Sequence, residues 1–140
     1  MGAGDRLLSL ADLEREAGEL WSGLPQGAVL WLSGEIGAGK TTLVQAIVRA
    51  AGATAAARSP TFALVHEYAS PEGPILHVDC YRLNEPDEAR DLDFRELLRQ
   101  ARLLVIEWPE RAGRHAPRPD LHLRLSHVEL PDRRLVERLA

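Results

Sequence analysis

Lysine occurs once in this 140-residue chain, at Lys40, although Lys and Arg together number 17. Cysteine and asparagine are as scarce, with one each, Cys80 and Asn84. A lone cysteine excludes an internal disulfide and fits a reducing compartment, so a cytoplasmic location is expected. No apolar run approaches the roughly 20 residues of a membrane span, and no basic-then-apolar N-terminal segment reads as a signal peptide, so no membrane association is expected. An excess of positive charge is missing too: 21 acidic residues outweigh the basic ones for a net charge of −4. That balance argues against a broad basic face that grips nucleic acid directly, and any RNA connection is expected to run through a partner. With 45% hydrophobic and 27% charged residues, the chain reads as one globular domain over residues 1–140.

Against this background stands Gly34-Glu-Ile-Gly37-Ala38-Gly39-Lys40-Thr41, a full match to the phosphate-loop pattern G-x-x-x-x-G-K-[ST]. Backbone N–H groups of such a loop converge on phosphates, and its glycines take positive φ or let backbone approach closer than a Cβ permits. Lys40 would reach the outer phosphates, where a compact ammonium fits between oxygens better than a planar guanidinium. The Thr41 hydroxyl would complete a Mg²⁺ shell. The flanks supply the context the motif requires. Ala28–Leu32 is a short apolar run that reads as a buried strand, and Thr41–Ala51 carries Leu43, Val44, Ile47 and Val48 at helical spacing, with Gly52 as a stop. The helix N-terminus adds partial positive charge beneath the loop.

Two further apolar runs end in carboxylates. Ile75-Leu-His-Val-Asp79 has the Walker B arrangement, and Arg102-Leu-Leu-Val-Ile-Glu107 repeats it. Both acids would project from C-terminal strand ends, where open α/β sheets bind ligands, and together they imply a metal and a water-activating base. Trp108, next in sequence, reads as a lid over phosphates or as sheet-edge packing, the commoner role of such a residue. In Arg58-Ser-Pro-Thr61-Phe62, Pro60 forces Ser59 to be extended. Thr61 is then either a switch-like sensor of a γ-phosphate or part of an ordinary turn.

Elsewhere the pattern predicts a helix over residues 7–20 capped by Ser9, with a stripe of Leu10, Leu13 and Ala17. It predicts a strand over Ala63–Tyr68, a turn over Ser70–Pro74, an acidic helical region over Asn84–Leu98 and a Pro/Arg loop over Glu110–Pro119. A hairpin of Leu121–Ser126 and Leu135–Leu139 closes the chain, turning at Pro131-Asp132-Arg133. The five histidines show no metal-ligand spacing, and Cys80 reads as a packing residue.

From about Leu30 to Arg111 these motifs resemble TsaE, formerly YjeE, the small P-loop ATPase family of bacterial tRNA threonylcarbamoyladenosine (t6A) biosynthesis. Ser59-Pro-Thr-Phe62, Asp79-Cys-Tyr-Arg-Leu83 and Glu107-Trp-Pro-Glu-Arg111, in that order after the phosphate loop, carry the resemblance. It implies an α/β, P-loop NTPase-like fold with a central, mainly parallel sheet flanked by antiparallel strands and helices. It also implies weak Mg²⁺-dependent ATP hydrolysis coupled to a TsaB–TsaD complex that modifies adenosine 37 of tRNA. By position, Gly37, Ala38, Gly39, Lys40 and Thr42 are phosphate holders, Thr41 and Glu107 Mg²⁺ ligands, and Asp79 a support for metal or water. Thr61 is the sensor, Trp108 lies close to the phosphates, and Arg133 approaches the nucleotide from the hairpin. Asp132 stands where members often carry Gly, and Leu92-Asp-Phe where many carry Leu-Gly. The rival readings are a small-molecule P-loop kinase with an arginine lid and a nucleotide-dependent binding switch. A GTPase is disfavoured, because Asn84-Glu-Pro-Asp87 is not an Asn-Lys-x-Asp guanine reader.

Overall fold

A strand, Arg6–Ser9 (β1), runs directly into a helix, Leu10–Gly23 (α1). Ser9 makes the corner. Its hydroxyl accepts the Asp12 N–H at 3.0 Å while the Asp12 carboxylate accepts the Ser9 N–H at 3.0 Å, a reciprocal capping box. Those bonds hold the Asp12 carboxyl below its ordinary range. The helix expected over residues 7–20 therefore begins and ends later, because Leu7 and Leu8 extend into sheet pairing. This computed structural model describes residues 6–55, 65–128 and 133–139, with the side chains of Leu10 and Ala55 outside that description. The Ser59–Phe62 segment with Thr61, and the Pro131-Asp132 turn, lie outside the described residues.

The phosphate-loop unit forms where its pattern places it: strand Ala28–Ser33 (β2), the glycine loop, then helix Lys40–Ala50 (α2). A short strand Thr54–Ala55 (β3) follows, then Val65–Ser70 (β4) and Gly73–Asp79 (β5), joined by a hairpin tighter than the five-residue turn expected. The acidic region divides in two. A 3₁₀ stretch, Pro86–Leu92, gives way at Asp93 to a helix, Phe94–Gln100 (α3). Asp93 takes a left-handed conformation (φ 49°) and caps α3 through its carboxylate, so it performs at this corner what a glycine would. Strand Leu103–Glu107 (β6) leads through 3₁₀ turns Pro109–Arg111 and Gly113–His115, within the expected Pro/Arg loop, to strands Leu121–His127 (β7) and Arg133–Arg138 (β8).

Among the described residues one eight-stranded sheet results, in the order β1-β8-β7-β2-β6-β5-β4-β3. Its centre, β7-β2-β6-β5, is parallel, and each flank is antiparallel. Strand alternation sorts the core into two faces. Ala28, Leu30, Leu32, Leu103 and Val105 face α1 and α2 with Leu13, Leu43 and Ile47. Val29, Leu76, Val78, Leu104 and Ile106 face the 3₁₀ stretch and α3 with Leu92 and Phe94. Central strands covered on both sides explain the near-continuous apolar runs seen in the sequence. None of the described helices is long and apolar enough to cross a membrane.

At the β2 exit, Gly34 (φ 134°) lies so close to β7 that a Cβ there would meet the Leu125 carbonyl oxygen at 2.2 Å. A methyl group must push β7 away from the loop. Gly34→Ala is expected to lower stability by about 2 kcal/mol or more, read as a shifted urea midpoint. At Gly18 of α1 a Cβ meets nothing within 4 Å, so Gly18→Ala is expected to stabilise by about 0.5–1 kcal/mol.

Candidate functional site

Because β2, β5 and β6 run parallel, their C-terminal ends open on one edge, and a cleft of about 630 Å³ lies there. Gly37, Gly39, Lys40, Thr41, Thr42, Asp79, Glu107 and Trp108, each singled out in the sequence, line it together. Ala38 is fully buried behind the loop and is not among the lining residues.

Gly39 caps α2 from the left-handed region (φ 107°) and supplies no side-chain cap, so the first N–H groups of the helix point toward the cleft. Lys40 is 5% exposed. Its ammonium donates to the Gly34 carbonyl and, at 3.1 Å, to that of Glu35. It also sits 4.7 Å from the centroid of the Trp108 ring. Burial lowers the Lys40 pKa, and the charges of Glu107, Asp79 and Glu110 oppose that shift.

Asp79 and Glu107 occupy paired positions on β5 and β6, so both carboxylates leave the sheet on the α2 face. The Tyr81 N–H donates to Asp79 Oδ1 at 3.0 Å, which orients that carboxylate at the strand end. Glu107 is deeply buried, and the imidazole of His77 lies against it, Nε2 to Oε2 at 2.6 Å. Among the described residues no three His, Cys, Asp or Glu side chains gather closely enough to hold a metal alone. The donor set is a threonine hydroxyl and two carboxylates, hard oxygens that suit Mg²⁺ shared with phosphate oxygens.

Trp108 takes φ 55°, ψ 49°, a conformation a bulky residue seldom adopts. That turn, steadied by its N–H to the Leu32 carbonyl at 3.3 Å, brings the indole back over the cleft. The side chain lines the cleft and also packs on the second core. The Tyr81 ring stands 5.0 Å from it, and the Arg111 guanidinium lies 5.1 Å from Tyr81 and 5.5 Å from Trp108.

Arg133 is placed differently from its expectation. Its guanidinium reaches Asp12 at 3.6 Å, and it is Arg134 that lines the cleft. On a strand a one-residue offset changes the face, and the buried Val136 marks Arg134 as the inward position. His66 and His77 were also missed, one lining the cleft and the other holding Glu107. Counting back by twos from Asp79 along β5 would have found His77 on the same face.

Comparison with known proteins points to one family. The family model described as "Threonylcarbamoyl adenosine biosynthesis protein TsaE" matches residues 7–136. A tRNA threonylcarbamoyladenosine biosynthesis protein TsaE from Haemophilus influenzae is 32% identical over 112 residues, covering 80% of this chain and 70% of that protein. The protein of the same name from Synechocystis is 40% identical over 93 residues, covering 63% of this chain and 58% of its own length. The crystal structure of Bacillus subtilis YdiB superposes with a TM-score of 0.74 at 21% identity, over 94% of this chain and 82% of that one. This likeness establishes the shared P-loop fold.

Cys80, adjacent to Asp79, is fully buried, and desolvation with the neighbouring Asp79 and Glu110 charges pushes its thiol up to about 12. Being a thiol rather than a thiolate, it is expected to resist iodoacetamide at pH 8 while folded and to react in urea, as followed by mass spectrometry.

Proposed function

Since the chain belongs to the TsaE family, we propose that it binds and slowly hydrolyses ATP for tRNA t6A formation, acting with a TsaB–TsaD complex in the cytoplasm. The observation that carries this reading is a buried, solitary lysine inside a glycine loop, faced by two carboxylates from adjacent strand ends. The Lys40 ammonium exchanges the Gly34 and Glu35 carbonyls for the outer phosphate oxygens, with little reorganisation because it is already desolvated. Backbone N–H groups of Gly37 to Thr42 and the Thr42 hydroxyl hold the remaining phosphate oxygens. A Mg²⁺ held beside the loop would supply charge neutralisation at the phosphates.

Thr41 and Glu107 contribute its protein oxygens in this reading, and Asp79 orients the attacking water. Trp108 shields the phosphates on one side, while Arg134 takes from the hairpin the part expected of Arg133. Thr61 keeps the role of sensor. Contact with tRNA is indirect, which suits the net charge of −4.

ATP hydrolysis by the purified chain, with and without TsaB–TsaD, tests the proposal. Stimulation by the pair is expected, together with its loss in Asp79→Ala. Turnover indifferent to the pair, with phosphate passed to an acceptor other than water, would instead favour the kinase reading. Binding without turnover in either condition would favour the switch. Lys40→Ala is expected to weaken ATP binding about tenfold or more, since a charge-assisted contact contributes about 1.5–3 kcal/mol. Unchanged affinity in calorimetry removes Lys40 from the phosphate site.

A further inference from the structure

We propose that His77 is the positioning residue of Glu107: it anchors one carboxylate oxygen so that the other is aimed at the metal. This inference rests on the reading of Glu107 as a Mg²⁺ ligand. The geometry follows from the parallel pairing of β5 and β6. Asp79 pairs with Glu107, and His77, one rung earlier on the same face, pairs with Val105. The imidazole reaches forward along the strand and donates Nε2–H to Glu107 Oε2 at 2.6 Å.

Both side chains are withdrawn from solvent, His77 at 6% and Glu107 at 4% exposure. Glu107 nevertheless lines the cleft, whereas His77 is not among the lining residues. The imidazole therefore stands behind the carboxylate, on the side away from the ligand space. A buried carboxylate left without a donor is costly, and one held at a single oxygen loses its rotational freedom. The ring is itself held in place. On β4, His66 pairs with His77 across the strands, and the two rings lie 5.9 Å apart at 35°. The result is a hydrogen-bonded support behind a carboxylate ligand, an arrangement whose removal elsewhere weakens metal binding by about 10–100-fold.

The test measures Mn²⁺ binding to the 140-residue chain, loaded with a non-hydrolysable ATP analogue, by electron paramagnetic resonance. His77→Phe keeps the ring volume and removes the donor. It is expected to raise the Mn²⁺ dissociation constant about tenfold or more, while analogue affinity without metal stays within about twofold. His77→Gln, whose amide donates from a similar place, is expected to recover most of that loss. In a Glu107→Gln background, His77→Phe is expected to add less than about twofold, because the two act as one unit.

An Mn²⁺ constant unchanged in His77→Phe, with Glu107→Gln weakened, overturns the positioning role and leaves Glu107 as a ligand. Unchanged binding in Glu107→Gln removes the ligand reading and the inference with it. Should His77→Phe fail to unfold cooperatively on heating, His77→Ala decides: Mn²⁺ binding weakened about tenfold and restored by added imidazole supports the role, and Mn²⁺ binding that stays near-parental overturns it.

Discussion

A positive charge held out of water is the constraint around which the cleft is arranged. The Lys40 ammonium is buried, and folding is tolerable only if something else solvates it. Two loop carbonyls, the face of an indole and three nearby carboxylates do so. Arg102, the other buried cation among the described residues, is solvated differently. Its wide fork takes carbonyls of Trp21, Leu24 and Pro25 at 3.1–3.4 Å and lies over the Trp21 ring. A fan of fixed carbonyls suits a guanidinium, while the narrow space between two loop carbonyls and an indole suits a compact ammonium.

The sheet supplies the rest by topology. Parallel pairing of β2 with β6 and of β6 with β5 brings the loop, Glu107 and Asp79 to one edge without any of them being close in sequence. Two backbone devices make that edge a cleft. Gly34 lets the loop lie against the Leu125 carbonyl, where no side chain fits. Trp108 holds a left-handed conformation that costs about 1–3 kcal/mol and turns its indole inward. Strain of that kind persists where surrounding packing over-determines it, and here the Tyr81 and Arg111 stack is part of that packing.

Most of the central architecture was legible because its signals are local. The apolar runs of β2, β5 and β6 and the helical spacing of α2 reflect burial that any path through the core would demand. What escaped was small or set by partners. Strand β1 covers residues that read as the start of a helix, and its pairing with β8 across most of the chain's length decided otherwise. Asp93 divides the acidic region by adopting a backbone conformation that no periodicity reports.

For the site the division is similar. The sequence by itself determined that a loop of the phosphate-loop pattern follows β2, that Lys40 lies in it and that two strands end in carboxylates, because each of these is written in a run of neighbouring residues. Only the tertiary structure decided that Arg134 rather than Arg133 lines the cleft, that His66 borders it and that His77 stands behind Glu107. Those facts depend on which strand lies beside which, and in what register. A shift of one residue exchanges the two faces of a strand, and the choice between them is made by contacts across the sheet rather than along the chain.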